Sequence, residues 1–326
     1  MIFRYHRPMR EYMHGGATRD VLCVGNAVAD VTARPIRAIP GKGKLGLIDS
    51  IGLFTGGCAV NSGIALARLG MKPTIGTAVG RDGFGEFLLR RLRENRVDLG
   101  GAQVVGGFQS SSTVVLVTPD GERSFLHTEG ASGAITDRMF PDSLLKKHRI
   151  LHLSGFFLLP RLDGPPARRL LARAKKLGLT TSFDSCWDPR RRWRLAKMCL
   201  PFVDYYLPSI EEAGETFGSR DPRTIAERAF AAGVRKVVVL KRGSKGCYAL
   251  PRGGSPVELP AFKVKVVDAT GAGDCFDGGF LAGILRGFDL RDALRLGNAA
   301  GALNVSGPGG FGKLESFAQA RRLAGI

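Results

Sequence analysis

Val267-Asp268-Ala269-Thr270-Gly271-Ala272-Gly273-Asp274, running into Cys275-Phe276-Asp277-Gly278-Gly279-Phe280-Leu281, is the most informative stretch of this 326-residue chain. A loop of small residues that opens a helix presents bare backbone N–H groups at the positive end of the helix dipole, which suits a phosphate. A carboxylate at the end of such a loop is badly placed to hold the phosphate itself. It suits a base that takes a proton from an attacking hydroxyl, while the amides of Gly271, Ala272 and Gly273 bear the charge of the transferring phosphoryl. A plain helix start, with glycine for close packing and aspartate for the dipole, accounts for the same residues. The stretch alone leaves both readings open.

Outward from this stretch, short β-type runs alternate with helical patterns. Val21–Gly25, Thr74–Gly80, Ile150–Ser154, Leu179–Phe183, Val203–Leu207 and Lys236–Leu240 read as strands. Ala59–Leu69, Phe84–Glu94, Pro165–Leu177, Ile210–Phe217 and Pro222–Ala232 read as helices, with three more at about Ala272–Arg286, Leu290–Val305 and Leu314–Leu323. This alternation predicts an α/β chain: a mainly parallel sheet covered by helices on both faces. Two regions break the rhythm. Residues 31–54 have no helical period, and residues 106–127 contain Thr113–Val117, the turn Pro119-Asp120-Gly121-Glu122 and Arg123–Leu126, a hairpin pattern. Both read as a small β-layer projecting from the main sheet.

Two further segments could touch a ligand. Gly56-Gly57-Cys58-Ala59-Val60-Asn61 leads into an apolar helix; its glycines permit close backbone approach, and Asn61 can donate to and accept from a hydroxyl. Gly25-Asn26-Ala27-Val28-Ala29-Asp30 follows the first strand, and an aspartate just past a strand's carboxyl end lies where open α/β sheets collect ligands. A turn with a helical asparagine, and a simple turn aspartate, explain the same residues. The G-x-G-x-x-G runs at 41–46 and 307–312 fail as dinucleotide fingerprints, because neither sits between a strand and a helix. No P-loop and no G-x-S-x-G elbow is present.

Composition narrows the class. The 48 Lys and Arg against 29 Asp and Glu give a net charge of +19, and 45 glycines are about twice the usual share. The basic residues lie mostly where helix patterns place a polar face, with no interleaved aromatic motif, so anionic small substrates are expected and nucleic acid is not. No run of about eighteen apolar residues occurs, so no membrane span is expected. Residues 1–19 read as a flexible tail before a single domain over 20–326, with Met13 an alternative start. Six scattered cysteines with no C-x-x-C read as reduced thiols in a cytoplasmic protein. Five histidines form no H-E-x-x-H, so zinc has little support.

The early Gly-Gly…Asn helix, the late Asp-x-Thr-Gly-Ala-Gly-Asp and the order of elements between them resemble the ribokinase-like (PfkB) family of carbohydrate and nucleoside kinases, over about residues 20 to 315. The resemblance implies a three-layer α/β/α fold with a β-lid, here about 31–54 and 106–127. It implies that Asp274 is the catalytic base and that Gly271, Ala272 and Gly273 form the anion hole. Asp30, Asn26, Gly56, Gly57 and Asn61 would meet the sugar. Ser209, Lys241, Gly243, Ser244, Gly246 and Asn298 would hold ATP, and Glu212 would organise Mg²⁺ through water. Asp268, Thr270, Asn304, Gly307 and Gly309 resemble the loop that binds a monovalent cation such as K⁺ in many members.

Two positions depart from the family pattern. Ser209 stands where Asn is commonest, and Val28 stands where ribose kinases carry Asn, which argues against ribose because a hydroxyl facing Val28 would go unpaired. The expected activity is ATP-dependent phosphorylation of a hydroxymethyl group on a sugar or sugar-like alcohol. A nucleoside kinase, with Phe108, Phe125 or Phe156 stacking on the base, is the alternative; a catalytically silent sugar- or nucleotide-binding regulator is a third reading. A homodimer paired through the lid edge is a further expectation.

Overall fold

Val21, Leu22, Cys23 and Val24 have no exposed surface, and a strand buried on both faces needs a covered sheet around it. In the computed structural model, which describes residues 18–326, that strand is β1 (Arg19–Val24), parallel to β4 (Pro73–Gly80) on one side and β8 (His148–Phe156) on the other. The expected tail therefore falls, up to residue 17, outside the described residues, and Arg19 already belongs to the sheet.

Beyond β4 lies β5 (Asp98–Val105); beyond β8 lie β9 (Thr180–Ser185), β10 (Tyr205–Tyr206) and β11 (Val237–Lys241), all parallel. Antiparallel β12 (Cys247–Pro251) and β13 (Val257–Leu259) complete a nine-stranded sheet. The reading of the sequence had placed no strand at β5, β12 or β13. β5 is half-exposed and carries Gly100 and Gly101, and β13 has only three residues; β12, Cys-Tyr-Ala-Leu-Pro, is a buried apolar run that the reading passed over.

Side chains alternate between two cores. Leu22 and Val24 join one with helices α3 (Asp142–Leu145), α4 (Pro165–Lys176), α5 (Arg194–Lys197), α6 (Ile210–Phe217) and α7 (Pro222–Ala231). Val21 and Cys23 join the other with α1 (Cys58–Arg68), α2 (Gly83–Glu94), α8 (Ala272–Leu285), α9 (Leu290–Val305) and α10 (Phe317–Ala324). The period-2 geometry of a strand thus produces three layers. No helix among the described residues is long and apolar enough to cross a membrane.

The two irregular regions form a separate four-stranded sheet, ordered β3 (Ser50–Gly56), β2 (Val28–Arg34), β6 (Ser112–Val117) and β7 (Arg123–Thr128). Ile51, Phe125 and Leu126 on it are exposed. β2 follows β1 after only Gly25–Ala27, which sets this small sheet directly over the carboxyl ends of the central strands.

Candidate active site

Helix α8 begins at Gly271, whose φ of 75° lies in the left-handed region; a Cβ there would also collide with the carbonyl of Gly310. Only glycine fits such a turn without strain. No side chain caps this helix start; Ala272 N donates to the Ala269 carbonyl at 3.3 Å, and Gly271, Ala272, Gly273 and Asp274 line a cleft of about 950 Å³. Asp274 sits in the first turn. Asn61 Nδ2 donates to Asp274 Oδ2 at 2.8 Å, and Ser62 Oγ donates to the Asp274 carbonyl at 3.3 Å. Burial pushes the Asp274 carboxyl up to about 6 against the Asn61 hydrogen bond, with the negative charge of Asp184 adding to the rise. A base tuned to that range is ionised at neutral pH and still basic enough to accept a proton.

Below Gly273 lies a buried ionic cluster. Lys241 Nζ, at the end of β11, is 2.9 Å from Asp184 Oδ2 and 3.2 Å from both oxygens of Asp277. Burial disfavours the ammonium, but the Asp184 and Asp277 carboxylates outweigh it and hold Lys241 charged. Burial and the charge of Asp184 push Asp277 well up. A Cβ on Gly273 would come within 3.2 Å of Lys241 Nζ, so the ammonium lies directly against the expected anion hole. Sequence reasoning placed Lys241 with the nucleotide and missed Asp184 and Asp277. Asp184 was within reach, since it directly follows the expected strand Leu179–Phe183, at the end where ligands collect.

Ser209 and Glu212 form a capping box at the start of α6. Ser209 Oγ accepts from Glu212 N at 3.2 Å, and Glu212 Oε2 accepts from Ser209 N at 2.9 Å. The serine at this position therefore has a structural account, because serine is among the best N-caps. Burial, with Asp184 beside it, raises Glu212 to about 7. Ser209, Glu212, Lys241, Gly243 and Ser244 all line the same cleft. Gly246 closes the Gly243–Lys245 turn against the Leu259 carbonyl, and Asn298 Nδ2 donates to the Pro260 carbonyl at 3.2 Å. Neither of these two, expected to hold ATP, is among the residues lining the cleft.

The residues expected to meet the sugar gather at the junction of β1, β2 and α1. Asp30 stands on β2 opposite Phe54 and Thr113, and burial raises its carboxyl to about 6 while the Thr113 hydrogen bond opposes the rise. A Cβ on Gly56 would overlap the Asp30 carboxylate, so that glycine makes room for the acid. Gly57 precedes α1 with a φ of 93°, and Asn26 Oδ1 accepts from Cys58 N at 2.9 Å. The carbonyl of Asn26 is thus occupied in capping α1. Asn61 Oδ1, by contrast, is buried without a partner among the described residues. Val28, buried, shares a strand face with Asp30.

The five residues expected around a monovalent cation form one knot. Asp268 Oδ1 accepts from Thr270 N at 2.9 Å and Asp268 Oδ2 from Gly309 N at 3.1 Å; Gly307 N donates to the Asn304 carbonyl at 3.2 Å. Arg123, the first residue of β7, reaches into this knot. Of the phenylalanines considered for stacking, Phe156 is fully buried, Phe125 points to solvent, and Phe108 packs under Arg161.

Known proteins share this fold. The model for the pfkB family of carbohydrate kinases matches residues 18–315. The chain is 31% identical over 302 residues to an ATP-dependent ribose-1-phosphate kinase of Halopiger xanaduensis (89% of this chain, 93% of the relative). It is 29% identical over 287 residues to a 2-dehydro-3-deoxygluconokinase of Bacillus subtilis (82% and 87%). Among solved structures, a putative ribokinase II of E. coli in complex with ATP and Mg²⁺ superposes with a TM-score of 0.81 at 25% identity, covering 94% of this chain and 98% of that one. The chain belongs to the pfkB family of carbohydrate kinases, and it is an ATP-dependent sugar kinase with the ribokinase-like fold.

Proposed function

We propose that this kinase phosphorylates a hydroxymethyl group on a sugar or sugar-like alcohol, with Asp274 as general base. The observation that carries this reading is the placement of Asp274, buried, held by Asn61, and one residue past the uncapped Gly271–Gly273 turn. Asp274 takes the hydroxyl proton as the oxygen attacks the γ-phosphorus. The bond to the β-phosphate oxygen breaks, and the amides of Gly271, Ala272 and Gly273 carry the developing charge. Asp30 and the unpartnered Asn61 Oδ1 hold neighbouring hydroxyls of the acceptor.

ATP lies in the cleft of about 950 Å³, along the Gly243–Lys245 turn. Glu212 fits a role in holding Mg²⁺, because that ion takes one or two carboxylates together with substrate phosphates. When bound, Mg²⁺ neutralises phosphate charge. The apolar wall that Val28 places beside Asp30 favours an acceptor with a deoxy or otherwise non-hydroxylated carbon there over ribose. The burial of Phe156 and the Arg161 contact of Phe108 leave a nucleoside base without a ready stacking surface. A second copy of the chain would cover the exposed Ile51, Phe125 and Leu126 of the lid, which light scattering of the protein in solution checks. All six cysteines are free, which fits a reducing cytoplasm.

The test is an ADP-release screen over ribose, fructose, deoxy-keto acids, phosphosugars and nucleosides. Turnover of a deoxy-keto acid or deoxy sugar well above ribose is expected. ADP release with nucleosides alone would replace this reading, and none with any acceptor would return the silent regulator.

A further inference from the structure

We propose that the Arg123 guanidinium, carried on the lid, is the built-in cation of the anion-hole loop and fills the place of a monovalent ion. The inference rests on the kinase reading above. Arg123 Nη1 donates to Asp268 Oδ1 at 2.8 Å and to Thr270 Oγ1 at 2.6 Å. The same carboxylate accepts from the amides of Thr270 and Gly309, so both its oxygens are engaged. Among the five residues that the family resemblance gives to the ion, Asp268 alone carries a charge. A monovalent ion placed there would lie against a guanidinium of like sign, with no charge left to compensate it. Asn304 Oδ1, fully buried, has no partner among the described residues, but one amide oxygen does not replace a hydration shell.

The contact is partly shielded, with side chains 30% and 26% exposed, and a guanidinium does not lose its charge in the physiological range. Tethering matters more. A free ion occupies its site according to its concentration, whereas Arg123 arrives with the lid. Asp268 and Thr270 lie immediately before Gly271, so the guanidinium fixes the loop that aims the anion-hole amides. It does so only while the start of β7 is docked. Closing the lid over the acceptor and setting the anion hole thereby become one event.

The experiment measures kcat/KM in K⁺, Na⁺ and tetramethylammonium chloride at equal ionic strength, together with thermal unfolding against K⁺ concentration. The wild type is expected to show neither K⁺ activation nor a K⁺-dependent rise in Tm. Arg123→Leu is expected to lose about 10-fold or more in kcat/KM, the scale of a charge-assisted hydrogen bond. K⁺ or added guanidinium ion should restore part of that loss, and the variant's Tm should climb with K⁺ as binding to the vacated site stabilises the fold. Arg123→Lys should retain more activity than Arg123→Leu. If Arg123→Leu does not fold, Arg123→Gln takes its place in both measurements. Saturable activation of the wild type by K⁺, a wild-type Tm that rises with K⁺, or a neutral variant with full activity and no K⁺ response would each overturn the proposal. If no acceptor is turned over, the kinase reading fails on its own, and the Tm measurements still decide the cation.

Discussion

Helices α1 and α8 both open on glycine and pack so closely that a Cβ on Gly278 would meet Ala65, yet their first turns are finished differently. At α1 the amide of Cys58 is taken by the side chain of Asn26, brought in from the end of β1. At α8 no side chain takes the corresponding amides; Ala272 N turns back on the Ala269 carbonyl, and the residues of the turn line a cleft of about 950 Å³. Two glycine-led helix starts in one protein therefore do different work. The first is closed by a side chain from a distant strand end, and the second, in the proposed reading, is left open for an anion.

The largest expected effect comes from the acid at the open end. Asp274→Asn should lower kcat by at least about 10²-fold, the usual scale for loss of a general base, with Tm little changed. Near-normal turnover would remove the distinction between the two helices. The same carboxylate sets a pH dependence. Its carboxyl is pushed up to about 6, chiefly by burial, so it is ionised and active above that value. As pH falls through 6 it gains a proton, and kcat should drop about tenfold per pH unit. Asp30, also raised to about 6, acts through acceptor affinity in this reading, so the limb in kcat should survive Asp30→Asn.

Next in size is Gly271→Ala, which puts a Cβ at a φ of 75° and against the Gly310 carbonyl. Displacing the anion-hole amides should reduce kcat by roughly 10-fold to 10²-fold, while KM for the acceptor changes less. At the capped end the effect should be on stability. Asn26→Ala strips the Cys58 amide of its acceptor and should cost about 1–3 kcal/mol in denaturant unfolding. Smallest is Ser209→Ala, which opens the capping box of α6 and should cost about 1 kcal/mol. If Asn26→Ala instead abolished kcat at unchanged stability, α1 would belong to the chemistry and the contrast would be drawn wrongly.

What the sequence showed follows the same physical lines. The central strands were legible because burial on both faces leaves continuous apolar runs, as in Val21–Val24. Strands β5 and β13 were not, since one is half-exposed and broken by two glycines and the other is very short; β12 carries an apolar run and was overlooked. Within the site, Asp274 and its glycines stood out because they are contiguous in sequence. Asp184, Lys241 and Asp277 come from β9, β11 and α8, and only the order of the sheet brings their side chains together. The Arg123 contact depends on where the lid hairpin lies against the 268–270 loop, which no local pattern encodes.

The ionic cluster under Gly273 also bears on the form in which a nucleotide can enter. Lys241 is held charged by Asp184 and Asp277, and burial pushes both of those acids up against it. Burial and the nearby Lys241 ammonium hold His152 neutral, down at about 3, so it adds no compensation. Asp274 and Glu212, raised to about 6 and about 7 chiefly by burial, share the cleft with the basic side chains of Arg220, Arg242 and Lys245, in a protein whose sum is +19. A net positive charge of this size favours encounter with a polyphosphate. If Asp274 and Glu212 meet the phosphates as proposed, a nucleotide that carries its own metal counter-ion should bind better than the free tetra-anion, which titrating Mg²⁺ at fixed ATP would read as a falling KM.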